Sequence, residues 1–82
     1  MLRQLYSIRD IKTGFYDLLS DQNDAAAVRN FEHAIMNKDS LLYSHAEDFA
    51  LYKIGSFDND TGKVHLLDVP DMICSAFDVK DR

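Results

Sequence analysis

The chain has 82 residues, of which 46% are apolar and 28% are charged, and this ordinary globular composition excludes wholesale disorder. Fourteen acidic residues against nine basic ones give a net charge of −5, which on average repels nucleic acid and anionic membranes. The only cysteine is Cys74, so intrachain disulfides are excluded and a reducing compartment is indicated. No apolar run approaches the roughly 18 residues of a membrane span, and we therefore expect a cytosolic protein without membrane contact.

The first half of the chain predicts two strands followed by a long helix. Strand-favouring side chains indicate a strand over residues 2–12 and, after a turn, a second short strand over 15–19. Residues 20–39 predict the main helix, because apolar side chains recur at spacings of three, four and seven and no glycine or proline interrupts them. Asn23 or Asp24 can cap the start of this helix.

The second half of the chain predicts a β-hairpin. Ser44 stands three residues before Glu47, a capping-box spacing that can start one helical turn ahead of the hairpin. Residues 49–57 and 63–69 are the predicted strands. The run from 58 to 62 joins them, and its Asp and Asn residues ending in glycine are typical of a hairpin loop.

These elements predict an α+β fold: a small antiparallel sheet of about four strands with one main helix packed on one face. Pro70 is expected to end the last strand, because proline donates no hydrogen bond to a ladder. The segment 71–81 is then a short helix or an arm that docks on a partner. We therefore predict a single domain over residues 1–82, with a core over 1–69 and a C-terminal arm or short helix over 70–82.

Catalytic and metal sites find little support in the sequence. The three histidines and Cys74 do not occur at the spacings that bind metal ions. Asp71 and Asp78 lie near Cys74 in the sequence, and negative neighbours oppose formation of the reactive thiolate. We therefore expect no enzymatic activity, no metal and no cofactor.

Cations interleaved with aromatic residues make single-stranded nucleic acid a candidate ligand. Proteins that bind single strands combine a positive groove with aromatic platforms on which bases stack. The predicted elements bring together the cations Arg3, Arg9, Lys12, Arg29 and Lys53 and the aromatic residues Tyr6, Phe15, Tyr16 and Tyr52. The alternative is that these aromatic residues belong to the core or a dimer contact and that the cations form a solvated face.

Association with another protein is the second candidate function. Six apolar residues exceed what a short helix and a four-stranded sheet readily cover, and surplus apolar surface usually marks a partner surface. They are Leu41, Leu42, Tyr43, Met72, Ile73 and Phe77. We expect a symmetric homodimer, the alternative being a tail that folds back on its own sheet.

Two parts of the chain resemble the small non-structural protein of gokushoviruses, which are single-stranded DNA phages of the Microviridae. The first part comprises YSIRDIK at residues 6–12 and NDAAAVRNF at 23–31. The second comprises HAEDFALYKIGSFD at 45–58 and DTG at 60–62. The resemblance covers residues 5–64.

This resemblance implies a non-structural phage protein in the cytoplasm of the host cell. Gene context is the basis for comparing the family with the microvirus C protein, and this analogy implies a role in single-stranded DNA synthesis and packaging. The expected mechanism is binding without catalysis, either to single-stranded DNA or to a complex of phage replication or procapsid proteins. Arg9, Lys12 and Arg29 match basic positions of the family and are the first candidates for such contacts. The alternative is an adaptor that binds a viral or host protein without touching DNA.

Overall fold

The computed structural model describes residues 1–80, which form a curled antiparallel sheet with helices packed on one side. The strands are β1 (Leu2–Asp10), β2 (Gly14–Phe15), β3 (Leu19–Asp21), β4 (Phe49–Asp58) and β5 (Val64–Ser75). The helices are α1 (Asp24–Ile35), α2 (Leu41–Ser44) and α3 (Ala76–Lys80), and a 3-10 turn covers Ala46–Asp48. The strand order is β2-β1-β4-β5, and β3 also pairs with β1. The predicted α+β class and the antiparallel sheet are confirmed.

The hydrophobic core lies between one face of the sheet and the helices. Tyr6 and Leu51 of the sheet pack with Phe31 and Ile35 of α1, and each of these side chains is at most 3% exposed. Burial of large apolar side chains of this kind contributes roughly 2 kcal/mol each. The C-terminal helix α3 adds Ala76, which is fully buried in the same cluster. The core is therefore covered by more than the single helix that the sequence predicts.

Helix α1 is shorter than the predicted helix at both ends. The Asn23 side chain accepts a hydrogen bond from the Ala26 N–H at 2.8 Å and so caps the helix, as predicted. The residues just before the cap do not join the helix, because Leu19–Asp21 pairs with β1 as strand β3. The helix ends at Ile35, and Ser40 then caps α2.

The predicted hairpin loop and the helical turn before it are confirmed, whereas the predicted Ser44 cap of that turn is wrong. In the loop the Asp58 N–H donates to the Lys63 carbonyl, and the Gly62 N–H donates to the Asp58 carbonyl. Gly62 has a φ of +79°, a left-handed conformation that favours glycine. Upstream, the Ser44 hydroxyl is hydrogen-bonded to Nδ1 of His45 and does not cap the 3-10 turn.

Strand β5 continues through Pro70, where the sequence predicts that it stops. It reaches Ser75 and leads directly into α3. The predicted helix over 71–81 is therefore wrong for its first part, which is strand, and right only from Ala76 onward. Residues 81 and 82, the end of the predicted arm over 70–82, lie outside the described residues.

A break in register accommodates Pro70 within the strand. Leu66 pairs with Gly55 and Asp71 pairs with Lys53, so the four residues between Leu66 and Asp71 stand opposite a single residue of β4. Proline is tolerated at such irregularities because the ladder there does not need its N–H. Across residues 1–80, the helices are all too short or too polar to span a membrane.

Candidate functional site

The alternation of side chains along β1 divides the predicted site residues between the two faces of the sheet. Successive side chains of a strand point to opposite faces. Tyr6 belongs to the core beneath the helices, and Arg9, three residues further on, therefore lies on the other face. We term this other face, which is turned away from α1 and α3, the open face.

Arg9, Phe15 and Tyr52 form a contiguous group on the open face, here termed the Arg9 cluster. Phe15 stands opposite Arg9 across the β1–β2 pair, and its ring meets the Tyr52 ring edge to face, with centroids 5.3 Å apart. The guanidinium carbon of Arg9 lies 5.8 Å from the Phe15 centroid and 6.0 Å from the Tyr52 centroid, within the range of a cation–π contact. Nη1 of Arg9 also donates to the Tyr52 hydroxyl at 3.5 Å. Since Phe15 is 47% exposed, the cluster is open to solvent.

Two further cations lie toward the ends of β1. Arg3 shares the alternation of Arg9 and is separated from it by about 20 Å along the strand. Its Nη2 donates to the Ser20 carbonyl at 3.4 Å, which directs the side chain toward β3. Lys12 follows the strand in an exposed turn, where its backbone N–H donates to the Asp10 carboxylate. Arg3 and Arg9 thus share the alternation of β1, and Lys12 follows just beyond the end of the strand.

A shallow recess adjoins the Arg9 cluster. Its volume is about 200 Å³, and its lining includes Arg9, Tyr52, Met72, Glu47 and Asp48. Small-molecule sites usually measure about 300 to 1,000 Å³, so the recess suits part of a ligand better than a whole cofactor. The carboxylates of Glu47 and Asp48 repel a phosphate, but they can accept hydrogen bonds from the amino groups of a base.

Tyr6 is wrong as a predicted stacking residue. Its side chain is 1% exposed, and its hydroxyl donates to Oδ1 of Asp24 at 2.5 Å. Burial raises the pKa of Tyr6 well above its usual value, and the hydrogen bond to Asp24 and the negative charges of Asp24 and Asp21 raise this pKa further. A nucleobase cannot reach this ring without opening the core.

Three other predicted contacts also lie away from the Arg9 cluster. Nζ of Lys53 is on the helix side of the sheet, 3.4 Å from Oδ1 of Asp24. The Tyr16 ring packs edge to face against the core residue Phe49, with centroids 6.1 Å apart. Arg29 is exposed on α1. The single patch that the sequence predicts is therefore divided by the sheet.

The predicted interface residues also fall into two groups. Leu42 and Ile73 pack against the chain's own core, and Nζ of Lys80 lies 4.2 Å from the centroid of the Tyr43 ring in a cation–π contact. These contacts within the chain make all three poor interface candidates. The other three are more than half exposed: Leu41, Met72 and Phe77.

No metal centre accompanies this surface in the part of the chain that the structure describes. Over residues 1–80, no group of three or more histidine, cysteine or acidic side chains is arranged to hold a metal ion. What the geometry provides is an exposed surface on which a cation and two rings lie side by side. Such a surface can hold a planar or anionic ligand by contact alone.

Similarity to known proteins shows the class to which this small α+β chain belongs. The family model described as Phage ORF5 protein matches residues 3–79, so the chain belongs to this family of phage proteins. Protein ORF5 of Chlamydia phage 1 is 40% identical over 68 residues, which cover 77% of this chain and 71% of that protein. Chlamydia phage 1 is a gokushovirus, and the resemblance predicted from the sequence is thereby confirmed. No solved structure matches the chain.

Proposed function

We propose that this phage protein acts without catalysis in single-stranded DNA synthesis or packaging, in the host cytoplasm, by binding single-stranded DNA on the open face of its sheet. The Arg9 cluster carries the proposal. Its guanidinium, close to two rings on an exposed face, matches the way in which proteins without sequence preference hold a phosphate and stack a base. The replication and packaging complex of a single-stranded DNA phage is where such a strand occurs.

The cations near β1 support this mode, whereas the net charge of −5 and the carboxylates of Glu47 and Asp48 beside the Arg9 cluster oppose it. Salt screens exposed charges beyond about 8 to 10 Å, so the groups next to the strand dominate the contact. Arg3 and Arg9 on β1 and Lys12 in the turn after it supply three cations. Asp58 and Asp60, near the other end of the sheet, are partly neutralised by the N-terminal ammonium of Met1.

The salt dependence of binding tests the proposal. Fluorescence anisotropy with a labelled oligo(dT) measures the affinity at several salt concentrations. With roughly three phosphate contacts, log K falls against log salt with a slope of about −2, so a fourfold rise in salt weakens binding roughly 15-fold. Absence of binding at low salt, or a slope near zero, would contradict direct phosphate contact.

A matched pair of arginine variants locates the contact. Arg9→Ala and Arg29→Ala each remove one positive charge, but only Arg9 belongs to the cluster. We expect Arg9→Ala to weaken binding and to make the slope shallower by about 0.7, with Arg29→Ala close to the unmodified protein. Equal losses from both variants would indicate non-specific attraction and would exclude the open face as the binding site.

Exposed apolar side chains favour an adaptor as a second candidate function. Phe77 is 55% exposed and lines a recess of about 280 Å³ together with Glu47 and Lys80. An adaptor predicts no binding to the oligonucleotide at any salt concentration. It also predicts that Phe77→Asp abolishes co-purification with a phage replication or procapsid protein. Leu18→Asp is the control, because Leu18 is 59% exposed, close to the 55% of Phe77, but lies between β2 and β3.

A further inference from the structure

Two carboxylates line the same recess as the cation and one ring of the Arg9 cluster. Glu47 and Asp48 share this recess of about 200 Å³ with Arg9 and Tyr52, and Glu47 is exposed whereas Asp48 is half-buried. Among residues 1–80 neither carboxylate forms an ion pair, and the Arg9 guanidinium lies instead against the rings of Phe15 and Tyr52. Each ionised carboxylate offers about four acceptor positions, so both are available to a hydrogen-bond donor.

Backbone hydrogen bonds hold these carboxylates beside the end of β1. The 3-10 turn Ala46–Asp48 is attached there by the Ile11 N–H, which donates to the Asp48 carbonyl at 2.9 Å. Two residues after Asp48, Ala50 stands opposite Arg9 in the β1–β4 pair. The backbone therefore fixes the position of the acidic turn relative to Arg9 before any ligand binds.

The charges around the recess determine how a single strand would lie on the open face. Phosphates are attracted by Arg9 and repelled by Glu47 and Asp48, so the sugar–phosphate backbone passes on the Arg9 side. A base that stacks on the Tyr52 ring lies within the recess and turns its edge toward the two carboxylates. The acceptors therefore meet the edge of the base, and not the backbone.

Hydrogen-bond chemistry distinguishes the bases at such an edge. Cytosine carries the amino group N4 and adenine carries the amino group N6, and a carboxylate accepts hydrogen bonds from either. Thymine has the carbonyl oxygen O4 where cytosine has its amino group, so an acceptor would face an acceptor there. Attraction of one base and repulsion of the other both add to the difference in affinity.

We propose that Glu47 and Asp48 give the open face a preference for single strands of cytosine or adenine over strands of thymine. This inference rests on the proposed DNA-binding function and names the bases that its site favours. The carboxylates accept hydrogen bonds from the amino group, the Tyr52 ring stacks the base and Arg9 contacts the phosphate. The same negative charges that weaken binding to every strand thus discriminate among strands.

Anisotropy titrations with labelled oligo(dC) and oligo(dU) of equal length, at one low salt concentration, measure the preference. Uracil lacks the methyl group of thymine, so these two strands differ only in the hydrogen-bonding edge of the base. We expect oligo(dC) to bind roughly three- to tenfold more tightly, as one additional hydrogen bond provides. Equal affinities would overturn the preference and leave the proposed function intact. Absence of binding to every strand, oligo(dT) included, would overturn both.

Replacement of both carboxylates by amides tests whether these residues cause the preference. The double variant Glu47→Gln, Asp48→Asn keeps the shapes of the side chains, but an amide donates as well as accepts and so serves cytosine and uracil alike. We expect the ratio of the two affinities to fall close to one, while both affinities rise because two negative charges are removed. Glu47→Gln alone alters an exposed side chain and should lower the ratio part of the way.

Asp39→Asn is the matched control for the loss of a negative charge. Asp39 is exposed between α1 and α2 and does not line the recess, so its replacement should leave the ratio unchanged. Circular dichroism checks that each variant is folded. A preference for oligo(dC) that persists in the folded double variant would overturn the proposal, and so would an equal change of the ratio in Asp39→Asn.

Discussion

The Tyr6 hydroxyl donates a hydrogen bond to the Asp24 carboxylate at 2.5 Å and thereby joins strand β1 to the first turn of α1. Nζ of Lys53 lies 3.4 Å from the same carboxylate oxygen, so β4 belongs to the same network. One carboxylate thus links three elements at the edge of the core. These bonds fix the start of α1 over the sheet and hold Tyr6 in its buried position.

Removal of the Tyr6 hydroxyl should destabilise the fold moderately. In Tyr6→Phe the ring still fills its place in the core, but the hydrogen bond to a charged acceptor is lost, at a cost of about 1 to 2 kcal/mol. Urea unfolding followed by circular dichroism measures the free energy of unfolding. Tyr16→Phe is the control, because Tyr16 is 49% exposed and should change stability little. Equal effects from the two variants would contradict a structural role for the Tyr6–Asp24 bond.

The same residue should make the protein sensitive to alkaline pH. Burial and Asp24 raise the pKa of Tyr6 in the folded state above the value of about 10 in the unfolded chain. The folded state then holds the proton more tightly, so this contribution is complete below about pH 10 and falls as the pH rises further. Urea unfolding between about pH 8 and 11 should show a loss of stability that is smaller in Tyr6→Phe. An identical loss in both proteins would assign the effect to other groups.

Gly55 should tolerate no side chain. An added Cβ would lie 2.1 Å from the His65 carbonyl oxygen and 2.9 Å from the Leu66 Cα, so β4 and β5 would have to separate. Gly55→Ala should therefore cost roughly 2 to 3 kcal/mol or more. Gly62→Ala meets no neighbouring atom and strains only a left-handed backbone, at about 1 to 2 kcal/mol. Chemical denaturation measures the free energy of unfolding of both variants. A smaller loss of stability in Gly55→Ala than in Gly62→Ala would contradict the close contact between the Gly55 and His65 backbones.

The Tyr52 ring, more than its hydroxyl, should support binding to single-stranded DNA. Stacking contributes about 1 to 3 kcal/mol per base, so Tyr52→Ala should weaken binding at least about fivefold. Tyr52→Phe keeps the ring and loses only the 3.5 Å hydrogen bond from Arg9, and its affinity should change little. Anisotropy titrations with the same oligonucleotide measure both. Equal losses of affinity in the two variants would show that the Tyr52 hydroxyl, and not the ring, supports binding.

The sequence correctly predicted the elements whose hydrogen bonds join residues close together in the chain. The Asn23 cap and the hairpin loop ending in Gly62 are both formed by hydrogen bonds within a few residues. Strand β3 was missed, because three residues without a strand pattern become a strand only by pairing with β1. The continuation of β5 past Pro70 was missed for a similar reason, since it depends on a register break against β4.

The candidate site was predicted in its chemistry but not in its arrangement. Arg9, Phe15 and Tyr52 do meet, as the mixture of cations and aromatic residues indicates. Strict alternation could have excluded Tyr6, because it is three residues from Arg9 on one strand and therefore faces the opposite way. Lys53 directly follows Tyr52 and lies on the other side of the sheet for the same reason.

The two borders of this sheet differ greatly in length. One consists of β5, with 12 residues, while the other consists of β2 and β3, with two and three residues. Strands of two or three residues offer too few backbone groups to hold another strand, so strand addition to this sheet is confined to the β5 border. A sheet with only one long border cannot extend edge to edge into a fibre.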